Sequence, residues 1–328
     1  MIVVTGGAGF IGSNLVAGLA ERGITDIAVA DRFRDGDKWR NLAKRELKAL
    51  VRPDDILPFL DQHAAEVDVI FHMGAISATT ERDVDKIVAN NVALSMELWR
   101  WCAWRGARFI YASSAATYGD GAAGFVDDGS VEALADLRPL NPYGWSKHLF
   151  DRYVARAVLN GEPAPPQWAG LKFFNVYGPN ERHKGDMMSV VAKLHPVLKA
   201  GEPARLFKSH RPDFADGGQS RDFIHVDDCV AVMLWLLDTP EVSGLFNVGT
   251  GKARSFKDLA EATFAALGLE PRIAYVDMPE HLRDKYQYFT QASTDRLRAA
   301  GFTRPFIELE EGVRRYVQDF LEQPDPYR

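Results

Sequence analysis

Residues 2–12 read Ile2-Val3-Val4-Thr5-Gly6-Gly7-Ala8-Gly9-Phe10-Ile11-Gly12, and this stretch decides the fold. An apolar run with the character of a buried strand breaks into a GxxGxxG loop, and the loop opens a helix over residues 10–22. Glycines let the backbone turn tightly and approach a pyrophosphate, while the free amides and positive dipole of the helix N-terminus stabilise its charge. A glycine triplet alone marks only a turn. Strand context before it and helix context after it make Gly6, Gly9 and Gly12 a dinucleotide site.

Outward from this loop, short apolar runs alternate with amphipathic stretches. Ile27 to Ala30, Val67 to Phe71, Phe109 to Ala112 and Leu171 to Phe174 have the boundaries of buried parallel strands. Helices are predicted at 83–104 and 142–159. The repeat predicts an α/β fold, a Rossmann-type doubly wound parallel sheet with helices on both faces. Past Gly178 the elements shorten, and Leu245 to Gly249 returns a strand to the sheet. The expected division is a dinucleotide-binding domain over 1–178, with return segments near 221–250, and a smaller C-terminal α/β substrate lobe filling most of 179–328. Gly161 to Pro166 is read as a loop, and no repeat or low-complexity segment is found.

The chain has 328 residues, enough for one large or two moderate domains. Its 39 basic and 45 acidic side chains give a net charge of −6, which argues against a nucleic-acid coat but leaves room for a local basic pocket. Cys102 and Cys229 stand far apart with no ligand cluster around them, so neither a metal site nor a disulfide framework is expected. The longest apolar run, Cys229 to Leu237, is far short of the ~20 residues that span a bilayer. No basic leader precedes Ile2, and a cytoplasmic, membrane-free setting is the expectation.

Asp31 ends the second strand 19 residues after Gly12, where an acid bonds an adenosine ribose. Arg32, Arg34, Lys38 and Arg40 follow. An acid alone favours NAD, whereas adjacent cations suit a 2′-phosphate; NADP is favoured, with NAD and a solvated charged loop as alternatives. Tyr143 and Lys147 lie four apart, on one face if the segment is helical. An ammonium there eases ionisation of a phenol whose ordinary pKa is ~10. Ser114 ends a strand at its carboxyl edge and is placed to bond the oxygen that changes during hydride transfer. YxxxK by itself is common as a helix surface pair; its order after the glycine loop and the strand-end serine makes the catalytic reading.

With these residues the chain resembles the extended short-chain dehydrogenase/reductase family, whose nucleotide-sugar enzymes share the Ser, Tyr, Lys arrangement. Its dehydratases carry an Asp-Glu pair after the strand-end hydroxyl, whereas Ala115 and Ala116 stand here. Without an acid for the leaving hydroxyl, elimination loses its general acid. Asn175-Val176-Tyr177-Gly178-Pro179 is general to the family. His183-Lys184-Gly185, Thr79-Thr80-Glu81, Tyr286-Gln287 with Phe289-Thr290-Gln291-Ala292, and Leu297-Arg298-Ala299-Ala300-Gly301 look like its ADP-heptose 6-epimerases.

That resemblance implies an isomerase acting on ADP-D-glycero-β-D-manno-heptose through a transient 6-keto sugar, with NADP recycled, for lipopolysaccharide core supply. It implies two acid/base groups, Tyr143 and Lys184, although a lysine of ordinary pKa ~10.4 must be depressed to act as a base. Phe10, Ile11, Asp31, Arg32, Lys38, Met73, Gly74, Ala75, Ile76, Ser77, Asn90, Lys147, Val176 and Lys184 would line the dinucleotide. Ser114, Asn175, Asp186, Lys193, Phe207 and Tyr286 would contact substrate, and Arg221 would hold its diphosphate. Three positions depart from the family pattern: Met73 replaces a glutamate, Pro53 a cofactor-binding lysine for which Arg52 is the available substitute, and Lys193 a histidine. Residues 210–218 are extra. The alternatives are another nucleotide-sugar epimerase of the UDP-glucose 4-epimerase type and a non-catalytic dinucleotide sensor. A homo-oligomer is expected, with Trp99, Trp101 and Trp104 either at an interface or packed beneath the sheet.

Overall fold

The computed structural model describes residues 1–283 and 287–328 of the chain. In chain order the main elements are β1 (Ile2–Thr5), α1 (Phe10–Glu21), β2 (Ile27–Ala30), β3 (Ala49–Val51), β4 (Val69–His72), α2 (Leu94–Arg105), β5 (Arg108–Ser114) and α3 (Pro142–Leu159). There follow β6 (Trp168–Phe173), β7 (Asn175–Tyr177), α4 (Val190–Lys199), β8 (Ala204–Phe207), β9 (Ser220–His225), α5 (Val226–Asp238) and β10 (Gly244–Val248). The last are β11 (Ala253–Ser255), α6 (Phe256–Ala266), β12 (Ile273–Val276) and α7 (Leu309–Tyr316).

Seven strands form one sheet in the order β10-β6-β5-β4-β1-β2-β3, and every pairing in it is parallel. Because successive strand residues face opposite ways, Ile2 and Val4 join one core and Val3 the other. The first core is closed by Leu15, Val16 and Leu19 of α1 with Val230 and Leu234 of α5. Leu98 and Trp99 of α2 with Phe150 and Val154 of α3 close the second. Strand order reverses between β1 and β4, which opens a crevice at their carboxyl ends.

The remaining chain builds a three-stranded sheet, β11-β9-β7, and a parallel pair, β12-β8. Helices α4, α6 and α7 cover them through Val191, Leu259, Val313 and Tyr316. Among the described residues no helix is long and apolar enough to cross a membrane.

The predicted strands all have counterparts, with ends displaced by up to three residues at β4 and β6. Edge strand β3 has none, because its apolar run is only the three residues Ala49-Leu50-Val51 between Lys48 and Arg52, and none of them is fully buried. The helix predicted at 83–104 is interrupted: Val84–Ile87 is helical, Val88–Ala93 widens into a π-turn, and α2 starts at Leu94. Trp99 and Trp101 are buried in the core, whereas Trp104 is exposed, so two of the three tryptophans considered for an interface are core residues.

Burial pushes the imidazole of His72 down to about 3, and those of His148, His183 and His225 down to about 4. In the unfolded chain each takes a proton near pH ~6.5. The folded chain thus binds fewer protons between those limits, and stability falls as pH drops from ~6.5 toward ~4. Asp228 works the other way, because burial lifts its carboxyl to about 6, and offsets part of the loss. Thermal unfolding midpoints measured from neutral pH down to pH ~4.5 are expected to fall steadily, at about 1.4 kcal/mol per pH unit for each net proton taken up on unfolding. A flat profile would contradict the neutral buried imidazoles.

Candidate active site

The crevice between β1 and β4 depends on missing side chains. Gly6 has φ +66, and a Cβ there would lie 2.6 Å from the Gly74 backbone; one on Gly12 would lie 2.2 Å from the Gly6 carbonyl oxygen. Helix α1 starts at Gly9 with no side-chain cap, which leaves its first amides facing the cleft as an anion-binding end. A side chain at Gly6 or Gly12 would clash with backbone, so these glycines let β1, β4 and the start of α1 pack closely, and the uncapped amides of α1 stand where a dinucleotide pyrophosphate fits.

Asp31 at the end of β2 ties this loop down. One carboxylate oxygen accepts the Ala8 amide at 2.8 Å, and the other accepts Lys38 Nζ at 2.5 Å. Arg32 pairs with Asp54 at 2.5 Å on the exposed side.

Below the loop runs a buried relay whose direction is determined. Ser95 donates its hydroxyl to the Asn91 carbonyl at 2.6 Å, so its oxygen accepts from His72 Nε2 at 2.9 Å. His72 Nδ1 is then the acceptor, taking the Thr5 hydroxyl at 2.6 Å, and Thr5 Oγ1 accepts the Gly74 amide at 3.2 Å. Asn91, in the π-turn, accepts the Ile76 amide at 2.8 Å and donates to Ser146 Oγ at 3.0 Å. The turn therefore joins the strand-end segment Met73–Ser77 to helix α3.

Helix α3 begins at a capped end, with Asn141 Oδ1 accepting the Gly144 amide at 2.8 Å, and it carries Tyr143 and Lys147. Burial raises the Tyr143 phenol above its ordinary value, while a hydrogen bond with Ser114 pulls the other way. Burial also lowers Lys147 to about 8, against the raising influence of Asp151. On the opposite lobe Lys184 sits in the helical turn Arg182–Met187, in which Gly185 takes a non-helical conformation. Its Nζ lies 4.8 Å from the Phe10 ring centre and 3.7 Å from buried Glu181. Burial lowers the Lys184 pKa, Glu181 raises it, and Lys193 adds a further lowering. Glu181 also accepts the Ser189 amide at 2.7 Å and hydroxyl at 2.5 Å.

All of the residues expected at the dinucleotide, from Gly6 to Lys184, line one cleft of about 1420 Å³, together with Ser114, Tyr143 and Asn175. Asp186, Lys193, Phe207 and Arg221 do not line it. Lys193 donates to the Asp186 carbonyl at 2.5 Å, and Arg221 donates to the Ser220 carbonyl at 2.9 Å. Tyr286 lies outside the described residues; Gln287 and Thr290 beside it are on the wall. Met73 and Pro53 line the cleft, whereas Arg52 is turned to Asp55 at 2.6 Å and does not replace the missing lysine. Residues 210–218 fold back on their own base, the Gly217 amide bonding the Phe207 carbonyl at 3.1 Å. They dock through the Tyr288 hydroxyl, which accepts the His210 amide at 3.1 Å.

Sequence reasoning did not find Glu181, Asn91, His72, Asp151 or Lys172. A signal was present for Asp151, which follows Tyr143 and Lys147 at helical spacing. Lys172 is hidden in an apolar strand.

A family model described as the NAD dependent epimerase/dehydratase family matches residues 2–249, and the chain belongs to that family. Within it, the chain stands beside the ADP-L-glycero-D-manno-heptose-6-epimerases. It is 52% identical to the one from Nitratidesulfovibrio vulgaris (strain DP4), with both chains covered in full. The crystal structure of the Helicobacter pylori ADP-L-glycero-D-manno-heptose-6-epimerase superposes with a TM-score of 0.78 at 27% identity, covering 97% of this chain and 95% of that one. The UDP-glucose 4-epimerase of Thermus thermophilus, in complex with NAD, has a TM-score of 0.73 at 26% identity over 96% and 97% of the two chains.

Gly12→Ala places a methyl group against the Gly6 carbonyl, and overpacking of this kind costs about 1–3 kcal/mol. The expected result is a lower unfolding midpoint together with loss of nicotinamide dinucleotide from the purified protein, read by absorbance. Retention of the dinucleotide at wild-type level would show that this loop is not its site.

Proposed function

We propose that the chain epimerises C6 of ADP-D-glycero-β-D-manno-heptose to the L-glycero form through a 6-keto sugar. The observation that carries this reading is that Tyr143 and Lys184, on elements of different lobes, line the same cleft. Inversion through a planar ketone needs a proton donor or acceptor for each half-reaction, and these are the two residues assigned to it. A dinucleotide held by the Gly6–Gly12 loop and Asp31 would supply the hydride acceptor and donor for C6.

Tyr143 exchanges a proton with the sugar oxygen in one half-reaction. The Lys147 ammonium stabilises its phenolate, and the Ser114 hydroxyl holds the same oxygen. Lys184 serves the other half-reaction, its proton affinity reduced by burial. Asn175 and Tyr286 are assigned to the substrate and Arg221 to its diphosphate; Arg221, Asp186, Lys193 and Phe207 stand off the cleft wall, and they enter the proposal as parts of the substrate lobe assigned to residues 179–328. Residues 1–178 and 221–250 form the dinucleotide lobe. Full-length 52% identity to a heptose 6-epimerase supports this substrate over a UDP-hexose.

NADP is the proposed dinucleotide. Lys38 and Arg32 line the cleft beside Asp31, and they would exchange their ion pairs with Asp31 and Asp54 for a 2′-phosphate. A cytoplasmic homo-oligomer supplying lipopolysaccharide heptose completes the proposal.

Tyr143→Phe and Lys184→Met are each expected to abolish net epimerisation of ADP-heptose, with activity down by about 10²-fold or more. Full turnover by Lys184→Met, or turnover of UDP-galactose in preference to ADP-heptose, would overturn the assignment. Lys38→Met is expected to weaken NADP binding by about tenfold, one charge-assisted contact, and to leave NAD binding nearly unchanged. Equal loss for both dinucleotides would assign the site to NAD.

A further inference from the structure

Behind the cleft lies a charged pair that the catalytic assignment does not use. Asp151 and Lys172 are among the most buried side chains of the molecule, at 0% and 1% side-chain exposure, with Lys172 Nζ 2.7 Å from Asp151 Oδ2. Asp151 also accepts the Ser113 hydroxyl at 2.7 Å and the Tyr111 hydroxyl at 3.1 Å. Lys172 donates to Thr117 Oγ1 at 2.8 Å, and its ammonium lies 5.0 Å from the Tyr118 ring centre. Thr117 in turn donates to the Ser114 carbonyl at 2.8 Å.

Each partner belongs to a different element bearing on the site. Asp151 is on α3, one turn beyond Lys147 and two beyond Tyr143, so all three share a face. Ser113 precedes Ser114 at the end of β5 and is in register with Lys172 of β6. Thr117 is in the turn Ala115–Tyr118, which begins where Ser114 Oγ accepts the Ala116 amide at 3.1 Å. A buried ion pair contributes little net stability compared with apolar residues of the same volume. Holding a strand end, a turn and a helix in one arrangement is a use that apolar residues would not supply.

We propose that Asp151 and Lys172 are positioning residues, which lock Ser114 against Tyr143 and Lys147 and set the Asp151 carboxylate one helical turn behind Lys147. Among the described residues, Asp151 on its own helix and His72 at the end of β4 interact with Lys147, Tyr143 shares its helix face, and Tyr111 of β5 and Lys172 of β6 bear on Asp151. His72 is neutral above pH ~4, and burial keeps the Tyr111 phenol protonated well beyond its usual range. The charge behind Lys147 at neutral pH is therefore set by Asp151 and the share of it that Lys172 compensates.

The two single variants must then shift Lys147 in opposite directions. Asp151→Asn removes the anion, so Lys147 loses its proton at lower pH, by about one unit. Lys172→Met leaves the anion uncompensated, so Lys147 titrates at higher pH. The experiment is a pH titration of the lysine ε-carbon resonances in full-length, carbon-13-labelled protein, with Lys147 assigned by its loss in Lys147→Arg. It is run beside the pH profile of kcat for ADP-heptose epimerisation. The expected result is a lowered midpoint in Asp151→Asn, a raised one in Lys172→Met, restoration by Lys172→Arg, and an alkaline limb of kcat that follows the midpoint.

Shifts in the same direction, or none, would overturn the proposal and leave the pair a purely structural one. If a single variant does not fold, Asp151→Asn with Lys172→Met removes both charges. Its midpoint must lie below that of wild type, and equality overturns the proposal. The kcat comparison rests on the epimerase reading, but the titration needs no substrate. A wild-type protein inactive on ADP-heptose that still shows the opposed shifts would refute the substrate and keep the positioning role.

Discussion

The close approach of β1 and β4 at Gly6 and Gly74 is the constraint on which the cleft depends. A Cβ at Gly6 would stand 2.6 Å from Gly74, so the two strand ends meet backbone to backbone. That contact brings the Thr5 hydroxyl within reach of the Gly74 amide and of His72. The relay through His72 and Ser95 then carries the constraint into the π-turn, and Asn91 carries it on to α3. The nucleotide loop and the catalytic helix, far apart in sequence, are thus fixed by one continuous set of buried bonds. The π-turn is part of that set: it projects Asn91 toward Ile76 where a regular helix would rotate it away.

Charge is distributed by a similar logic. A chain of net charge −6 has to receive a ligand rich in phosphate, and it does so by placing Arg32, Lys38, Lys147 and Lys184 on the cleft wall. Three of these cations have a carboxylate close behind them: Asp31 for Lys38, Asp151 for Lys147 and Glu181 for Lys184. For Lys147 and Lys184 that carboxylate opposes the effect of burial, which lowers the proton affinity of each ammonium. Each acid is also held by backbone amides or hydroxyls, so it remains in place while the cation faces the cleft.

How much of this could be read from the sequence follows from how local each feature is. The parallel sheet was legible because buried strands are continuous apolar runs and glycines mark the turn that joins β1 to α1. Tyr143, Lys147 and Ser114 were legible because spacing within a helix and position at a strand end are local properties. Asp151 had the same helical spacing, but its role exists only through Lys172 on β6, and pairing across a sheet leaves no mark in one sequence. β3 escaped because its apolar run, Ala49-Leu50-Val51, is short and closed off by Lys48 and Arg52, and the π-turn because one extra residue in a turn scarcely alters helical periodicity. Lys184 was reached through family resemblance alone, and its surroundings show why. Glu181 is a local neighbour three residues before it, but Phe10 of α1 and Lys193 of α4 reach it only when the chain folds.

The two ends of the proposed acid/base system differ in how they are held. Tyr143 lies on a capped helix braced by the parallel sheet, the buried Asp151 pair and the π-turn. Lys184 lies on a short turn with Gly185 at a positive φ of +54, anchored mainly by Glu181 against Ser189 at the start of α4. A rigid end suits the phenol, whose oxygen must share the sugar oxygen with Ser114 in one geometry. An ammonium carried on a turn suits the second proposed role, because a ketone presented by its other face arrives with its oxygen displaced. On the proposed assignment, the proton donor with the stricter geometry is carried by the sheet and its helix, and the second by a turn.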